Sequence, residues 1–178
     1  MDLLRVARKT KKSKKNSLVK ELLRDSSRSD RELAKILEVS QPTVSRTKKS
    51  LLNEGVIHAL VAFPDFYKIG YELMSVTFVK IMAVLAPLEV RKKNFEKVTQ
   101  WMNKETKIIF CGPCNGFDAH SFFISVHKNY ADFDDFINKH KKELGYELLL
   151  DLESVLINLA DDQKIKPFNF KYLAEDNV

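Results

Sequence analysis

The chain has 178 residues, 44% of them apolar and 30% charged, a soluble globular composition with room for one ordinary domain or two small ones. Its net charge of +6 is uneven: residues 1–52 hold 15 Lys/Arg against 6 Asp/Glu, and the remainder holds 15 against 18. Positive charge gathered at one end suits a phosphate-bearing partner, and no apolar partner face accompanies the lysines to suit a membrane surface. Two cysteines give no disulfide framework, and no stretch has the apolar length of a signal-peptide core or a membrane span, so the expected location is the cytoplasm.

In chain order, residues 8–15 (RKTKKSKK) carry six positive charges and no acid. Residues 1–16 are therefore expected to form a basic arm, disordered until an anion binds it. SLVKELLR at 17–24 reads as a short helix with Leu18, Leu22 and Leu23 inward. Ser29 and Glu32 have the S-x-x-E spacing of a capping box ahead of a second helix, whose apolar face is Leu33, Ala34 and Leu37. Val39 fills the turn, Ser40 can cap a third helix, and Pro42 costs nothing in its first turn because that N–H has no partner anyway. Val44, Thr47 and Leu51 recur at helical spacing and leave Gln41, Thr43, Ser45, Arg46, Lys48 and Lys49 outward. Two short helices, a tight turn and a basic outer face suit a helix-turn-helix that lays its second helix in a DNA major groove. An ordinary helical hairpin fits the same pattern loosely, and the adjoining arm favours DNA. Gly55 ends the third helix, and the β-rich run Val56, Ile57, Leu60, Val61 and Phe63 is expected to be a wing or hinge strand. Residues 17–63 then make a winged helix-turn-helix, with a hinge at 64–72.

From Leu73 the period changes to two. LMSVTFVKIMAV reads as a strand. Pro87 opens a helix striped by Leu88, Phe95, Val98 and Met102, and KIIFC at 107–111 is a second strand. The turn GPCNGFD leads to a third, HSFFISVH at 120–127. Asn129 caps a helix with Tyr130, Phe133, Ile137 and Leu144 inward, Gly145 ends it, and ESVLINL at 153–159 is the last strand. The order β-α-β-β-α-β is ferredoxin-like, so the fold class is α+β. Phe123, Val79 and Leu156 are expected on the sheet face that the helices leave open, where a second copy of the chain is the simplest cover. Residues 160–178 form a polar tail with an aromatic centre that docks on the sheet or stays partly loose.

Three stretches, LLRDSSRSDRELAKILEVSQPTVSRTKKSLLNEGVI, VAFPDFYKIGYELMSVTFVKI and Gly116-Phe117-Asp118, carry a resemblance over residues 17–159 to the Lrp/AsnC (leucine-responsive, feast/famine) transcription regulators. The resemblance implies a winged helix-turn-helix joined by a hinge strand to a ferredoxin-like oligomerisation and effector domain at 73–159. It also implies homodimers built through the sheets, or higher even oligomers up to octamers, and a small-molecule effector, commonly an amino acid, near Gly116 and Asp118. Glu38 departs from the glycine many helix-turn-helices keep in the turn, and the arm and tail extend beyond the family core.

Competing motifs are weaker. Cys111-Gly112-Pro113-Cys114 looks like the thioredoxin motif, but it leads into a strand rather than opening a helix, and Phe110 rather than Trp precedes it. A thiol redox sensor using Cys111 and Cys114 stays open as an alternative. A zinc site from those thiols with His120 and His127 is disfavoured, because seven strand residues span roughly 23 Å. His58 and His140 read as surface or strand-face residues, and no metal or cofactor is expected. None of G-x-S-x-G, H-E-x-x-H or G-K-[ST] occurs, and Asp132, Asp134 and Asp135 suit a helix N-terminus, so the chain is not expected to be an enzyme.

The sequence therefore assigns base contacts to Gln41, Ser45, Arg46 and Lys49, phosphate contacts to Ser40, Thr43 and Lys48, and salt-sensitive affinity to Lys11, Lys12, Lys14 and Lys15. The partner is double-stranded DNA. A non-specific architectural DNA-binding protein is the other alternative.

Overall fold

A helix begins where a cap satisfies its first donors, and the Ser29/Glu32 capping box is formed from both sides. The Glu32 amide donates to Ser29 Oγ, and the Ser29 amide donates to Glu32 Oε2. The structure is a computed structural model, described over residues 3–81, 87–145, 149–160 and 170–175, without the side chains of 3–12, 149 and 150. The chain divides into two compact units, residues 1–63 with 165–178, and residues 64–164.

The first unit holds α1 (Leu3–Arg24), α2 (Asp30–Ile36) and α3 (Gln41–Asn53). Leu18, Val19, Leu22, Leu33, Ala34, Val44 and Leu51 are its core, with Leu37, Val39 and Ile57 packed against them. Each fully buried Leu contributes about 1.5–3 kcal/mol relative to exposure. Glu21 is buried in α1 and is neutralised by Arg24 and Arg28, which ties the α1–α2 connection to the helix. α3 ends in a Schellman turn: Val56 N–H donates to the Leu51 carbonyl, Gly55 N–H to the Leu52 carbonyl, and Gly55 has φ 68°.

Three expectations change in this unit. Residues 3–16, read as a disordered arm, continue α1. Lysine, arginine and alanine are good helix formers, no Gly or Pro interrupts them, and the packed end at Leu18–Leu22 supplies the costly nucleus. The strand expected over 56–63 does not form. Ile57 turns inward while Val56, Leu60, Val61 and Phe63 stay exposed, and β propensity makes no strand without a ladder partner. The tail docks on α1 rather than on the sheet: a 3₁₀ turn at Lys171–Ala174 buries Ala174 there, and Phe170 meets Phe63 edge-on at 6.5 Å.

The second unit runs β1 (Leu73–Ile81), α4 (Leu88–Lys104), β2 (Ile108–Gly116), β3 (Ala119–His127), α5 (Tyr130–Leu144) and β4 (Leu149–Asn158). The strands lie in the order β2-β3-β1-β4, with every neighbouring pair antiparallel. β2 takes in the whole C-G-P-C stretch, and the turn shrinks to Phe117-Asp118, with φ 54° and 53°. Both helices pack on one face, where Val79, Ile81, Phe123 and Leu152 meet Val98, Trp101, Met102, Phe133, Phe136, Ile137 and Leu144.

Val79 and Phe123 therefore belong to the helix-covered core, with Leu156 packed against it, not to the open face. Strand registers place Val76, Phe78, Phe122, Phe110 and Val155 on the other side. One end of that side is closed by Met74, Val126 and Leu159 with Phe66 and Tyr71. Beyond it Phe110, Phe117 and Val155 are exposed. The helix stripes shift as well. Leu88, Phe95 and Tyr130 are exposed, while Trp101, Phe136 and His140 turn inward.

The covered face also carries buried hydroxyls. Ser75 and Ser125 are hydrogen-bonded at 2.7 Å, Thr77 and Ser154 at 2.9 Å, and Ser125 meets His127 Nε2 at 2.8 Å. This pairing lets a sheet interior hold Ser, Thr and His without unsatisfied hydroxyls at those contacts.

Candidate nucleic-acid interface

α2 and α3 meet through a turn in which Glu38 adopts φ 52°. A left-handed non-glycine residue is strained, and here the Val39 amide bonded to the Ala34 carbonyl holds the chain in it. Val44 and Leu51 anchor α3 inward. Gln41, Ser45, Arg46 and Lys49 are all exposed on the opposite side. Arg46 folds back along its own helix, its Nε donating to the Pro42 carbonyl at 3.2 Å. Ser40 stands at the N-cap without making the backbone bond expected of it, and its hydroxyl meets Thr43 Oγ1 at 2.8 Å.

The cations divide into two groups. Lys48 is ion-paired with Asp30 at 2.7 Å and mostly covered, which clamps α3 to the start of α2. Lys15 pairs with Glu54 at 2.5 Å, which clamps α1 to the end of α3. Lys14 is exposed beside them. It shares an open groove of about 360 Å³ with Lys15, Thr43, Arg46, Thr47 and Ser50. Lys11 and Lys12 lie on α1, but their side chains fall outside the described residues. Arg31 and Lys35 add exposed positive charge on α2, where no sequence motif had singled them out. The two clamps join residues 39 and 18 positions apart, a pairing that no local spacing signals.

In the second unit, Gly116 (φ 147°) and Asp118 stand at the β2–β3 hairpin tip beside the exposed Phe117, whose ring lies 5.2 Å from Phe78. Cys111 and Cys114 are free thiols on β2, and Cys111 packs against the helix-covered core. The β2–β3 register shifts between Pro113 and Gly116, so Cys114 sits at an irregularity of the strand. His120 is exposed and accepts the Ile81 amide at 3.2 Å, whereas His127 is fully buried.

Ser125, His127 and Asp132 follow one another in space like a hydrolytic triad. The resemblance is sterically empty. Ser125 and His127 have no solvent exposure, and His127 Nδ1 lies 3.8 Å from Asp132 Oδ2, beyond hydrogen-bond length. Burial and the nearby Lys107 lower His127 to about 4, so it is neutral near pH 7. Burial acts to raise Asp132, but its bonds from Lys107 and from the Lys128 amide outweigh it and hold the carboxyl below its ordinary range.

No protein-family model matches the sequence. An uncharacterized HTH-type transcriptional regulator of Pyrococcus furiosus is 29% identical over 117 residues, covering 65% of this chain and 72% of that protein. A transcriptional regulator of Neisseria meningitidis, solved as its L-Met complex, superposes with a TM-score of 0.67 at 15% identity, over 90% of this chain and 97% of that one. An AsnC family transcriptional regulator of Agrobacterium tumefaciens gives 0.65 at 18% identity, over 90% and 97%. This is the fold of the Lrp/AsnC regulators. Within the Lrp/AsnC fold the α2–turn–α3 hairpin and the four-stranded sheet are both present, while the second half of α1 and the tail's 3₁₀ turn frame the helical unit. Among the described residues no helix is long and apolar enough to cross a membrane.

Proposed function

We propose that the chain is a sequence-specific, DNA-binding transcription regulator of the Lrp/AsnC type. It acts as a homodimer or higher even oligomer, is modulated by a small molecule such as an amino acid, and works in the cytoplasm without enzymatic activity. One observation carries the reading: α3 offers Gln41, Ser45, Arg46 and Lys49 on a single exposed face after a tight turn.

In this reading α3 enters the major groove. Arg46 exchanges its bond to the Pro42 carbonyl for a guanine edge, which its planar fork fits, while Gln41, Ser45 and Lys49 read neighbouring bases. Ser40, Thr43 and Lys14 take phosphates. Lys11 and Lys12 add salt-sensitive attraction, and Lys15 and Lys48 contribute positive potential from their clamped positions. Residues 17–63 act as the winged helix-turn-helix, 64–72 as the hinge, and 73–159 as the ferredoxin-like effector and oligomerisation domain. The half-open sheet face bearing Phe110, Phe122 and Val155 supports association of two copies. The L-Met bound by the Neisseria meningitidis protein supports an amino-acid effector, here placed by the hairpin tip at Gly116 and Asp118.

Selection of bound fragments from sheared genomic DNA at near-physiological salt tests the proposal. A few enriched fragments sharing a two-fold motif are expected, because paired half-sites mirror a dimer. Uniform recovery would overturn base reading and leave an architectural, charge-driven binder.

A further inference from the structure

The C-terminal end of α5 carries a group of side chains that DNA binding does not use. His140 is fully buried between Trp101 and Phe136, with ring centroids 4.6 and 4.4 Å away. Its Nδ1–H donates to the Phe136 carbonyl one turn back, which turns Nε2 toward the neighbouring carboxylates. Nε2 lies 3.2 Å from Glu105 Oε1 and 3.8 Å from Glu143 Oε2. It is buried and makes no hydrogen bond of acceptable geometry, the Glu105 contact included. Glu105 is the residue that ends α4, and its side chain is only 19% exposed.

One imidazole nitrogen and two carboxylate oxygens thus converge within 4.8 Å of one another. Two carboxylate oxygens beside a ring nitrogen in a partly desolvated corner favour a positive charge among them. Lys139 supplies charge from outside, bonded to Glu105 at 3.4 Å and 3.8 Å from Glu143, on a side chain that is 55% exposed. The remaining geometry is that of a metal centre. Tetrahedral bonds of about 2.1 Å place ligand atoms about 3.4 Å apart. The two distances from Nε2 bracket that value, and the half-exposed Glu143, three residues on along the helix, can close the rest. A backbone carbonyl accepting from the other ring nitrogen is the outer partner metal-bound histidines characteristically have.

We propose that Glu105, His140 and Glu143 bind one divalent transition-metal ion, with water in the remaining positions, and that the ion ties the end of α4 to α5. Mixed imidazole and carboxylate donors suit Zn²⁺ and its first-row neighbours rather than Ca²⁺ or Mg²⁺. The site lies wholly within the second unit and does not depend on the DNA-binding reading.

The test uses the full chain with Cys111→Ser and Cys114→Ser, so that thiols do not compete, stripped with EDTA and titrated calorimetrically with Zn²⁺. Saturable binding of one ion per chain is expected, with a rise in melting temperature of about 5 °C or more at a hundredfold excess over Kd. Glu143→Gln and Glu105→Gln, which leave the buried histidine in place, are each expected to weaken binding at least about tenfold. The metal-free melting temperature of Glu143→Gln should stay within about 2 °C, because its surface pairing is worth little. Co²⁺ should give visible absorption bands that both variants lose. No saturable binding, or affinity and bands unchanged in both variants, would overturn the site.

Discussion

Arg46 and His127 show how single side chains in this molecule are set by what surrounds them. Arg46 is exposed, bonded only lightly to its own helix, and pointed by α3 toward the face that would meet DNA. Arg46→Ala should cost about 1–3 kcal/mol on a selected site and relax base choice at one position. Equal losses on selected and random DNA would remove it from base reading. His127 makes a prediction about acid. The folded chain holds it neutral down to about 4, whereas the unfolded chain protonates it near 6.5. The unfolded state therefore binds the extra proton across that window. The contribution to stability is complete above about pH 6.5 and falls away as pH drops toward 4, by up to about 3 kcal/mol. Urea unfolding at pH 7 and pH 4.5 should show a smaller acid loss in His127→Gln than in the parent, and parallel losses would refute the assignment.

At the scale of elements, local chemistry was readable and long-range pairing was not. The Ser29/Glu32 box, Pro42 in the first turn of α3, the Gly55 terminator and the Asn129 cap each act within a few residues, and each stands where its spacing puts it. Period-two alternation likewise separated the two faces of β1 and β3. It could not say which face the helices cover. The face holding Ser121, Ser125 and His127 looks the more polar, yet it is the buried one, where Ser125 bonds Ser75 across the strands and His127 Nε2 along its own. The basic arm misled for a related reason. Its charge pattern resembles a disordered tail, but its residues are strong helix formers attached to a packed helix end. For the candidate site, the exposed face of α3 was legible, whereas the clamps on Lys15 and Lys48 required the fold. The tail yields a test at this scale. Ala174 is 1% exposed on α1, so Ala174→Glu, which forces a charge into that contact, should lower the melting temperature by several degrees and leave the sheet unit folded by amide exchange. An unchanged melting temperature would mean the tail adds nothing to the helical unit.

For the whole molecule, the sheet is finished on one side and half finished on the other. Phe110 and Phe122 pack at 5.7 Å at one edge of the unfinished side, and Val155 on the opposite edge strand is 57% exposed. A second copy laid there would bury this patch, and the proposed dimer predicts that Phe122→Glu sediments as a monomer without unfolding. A variant that sediments like the parent would place the interface elsewhere. The tail has a consequence for biosynthesis. Residues 165–178 complete the helical unit, yet the ribosome reaches them only after making all of Pro64–Lys164. α1 therefore waits on this late segment to acquire that neighbour, so a nascent chain displays this side of α1 uncovered until the sheet unit has emerged.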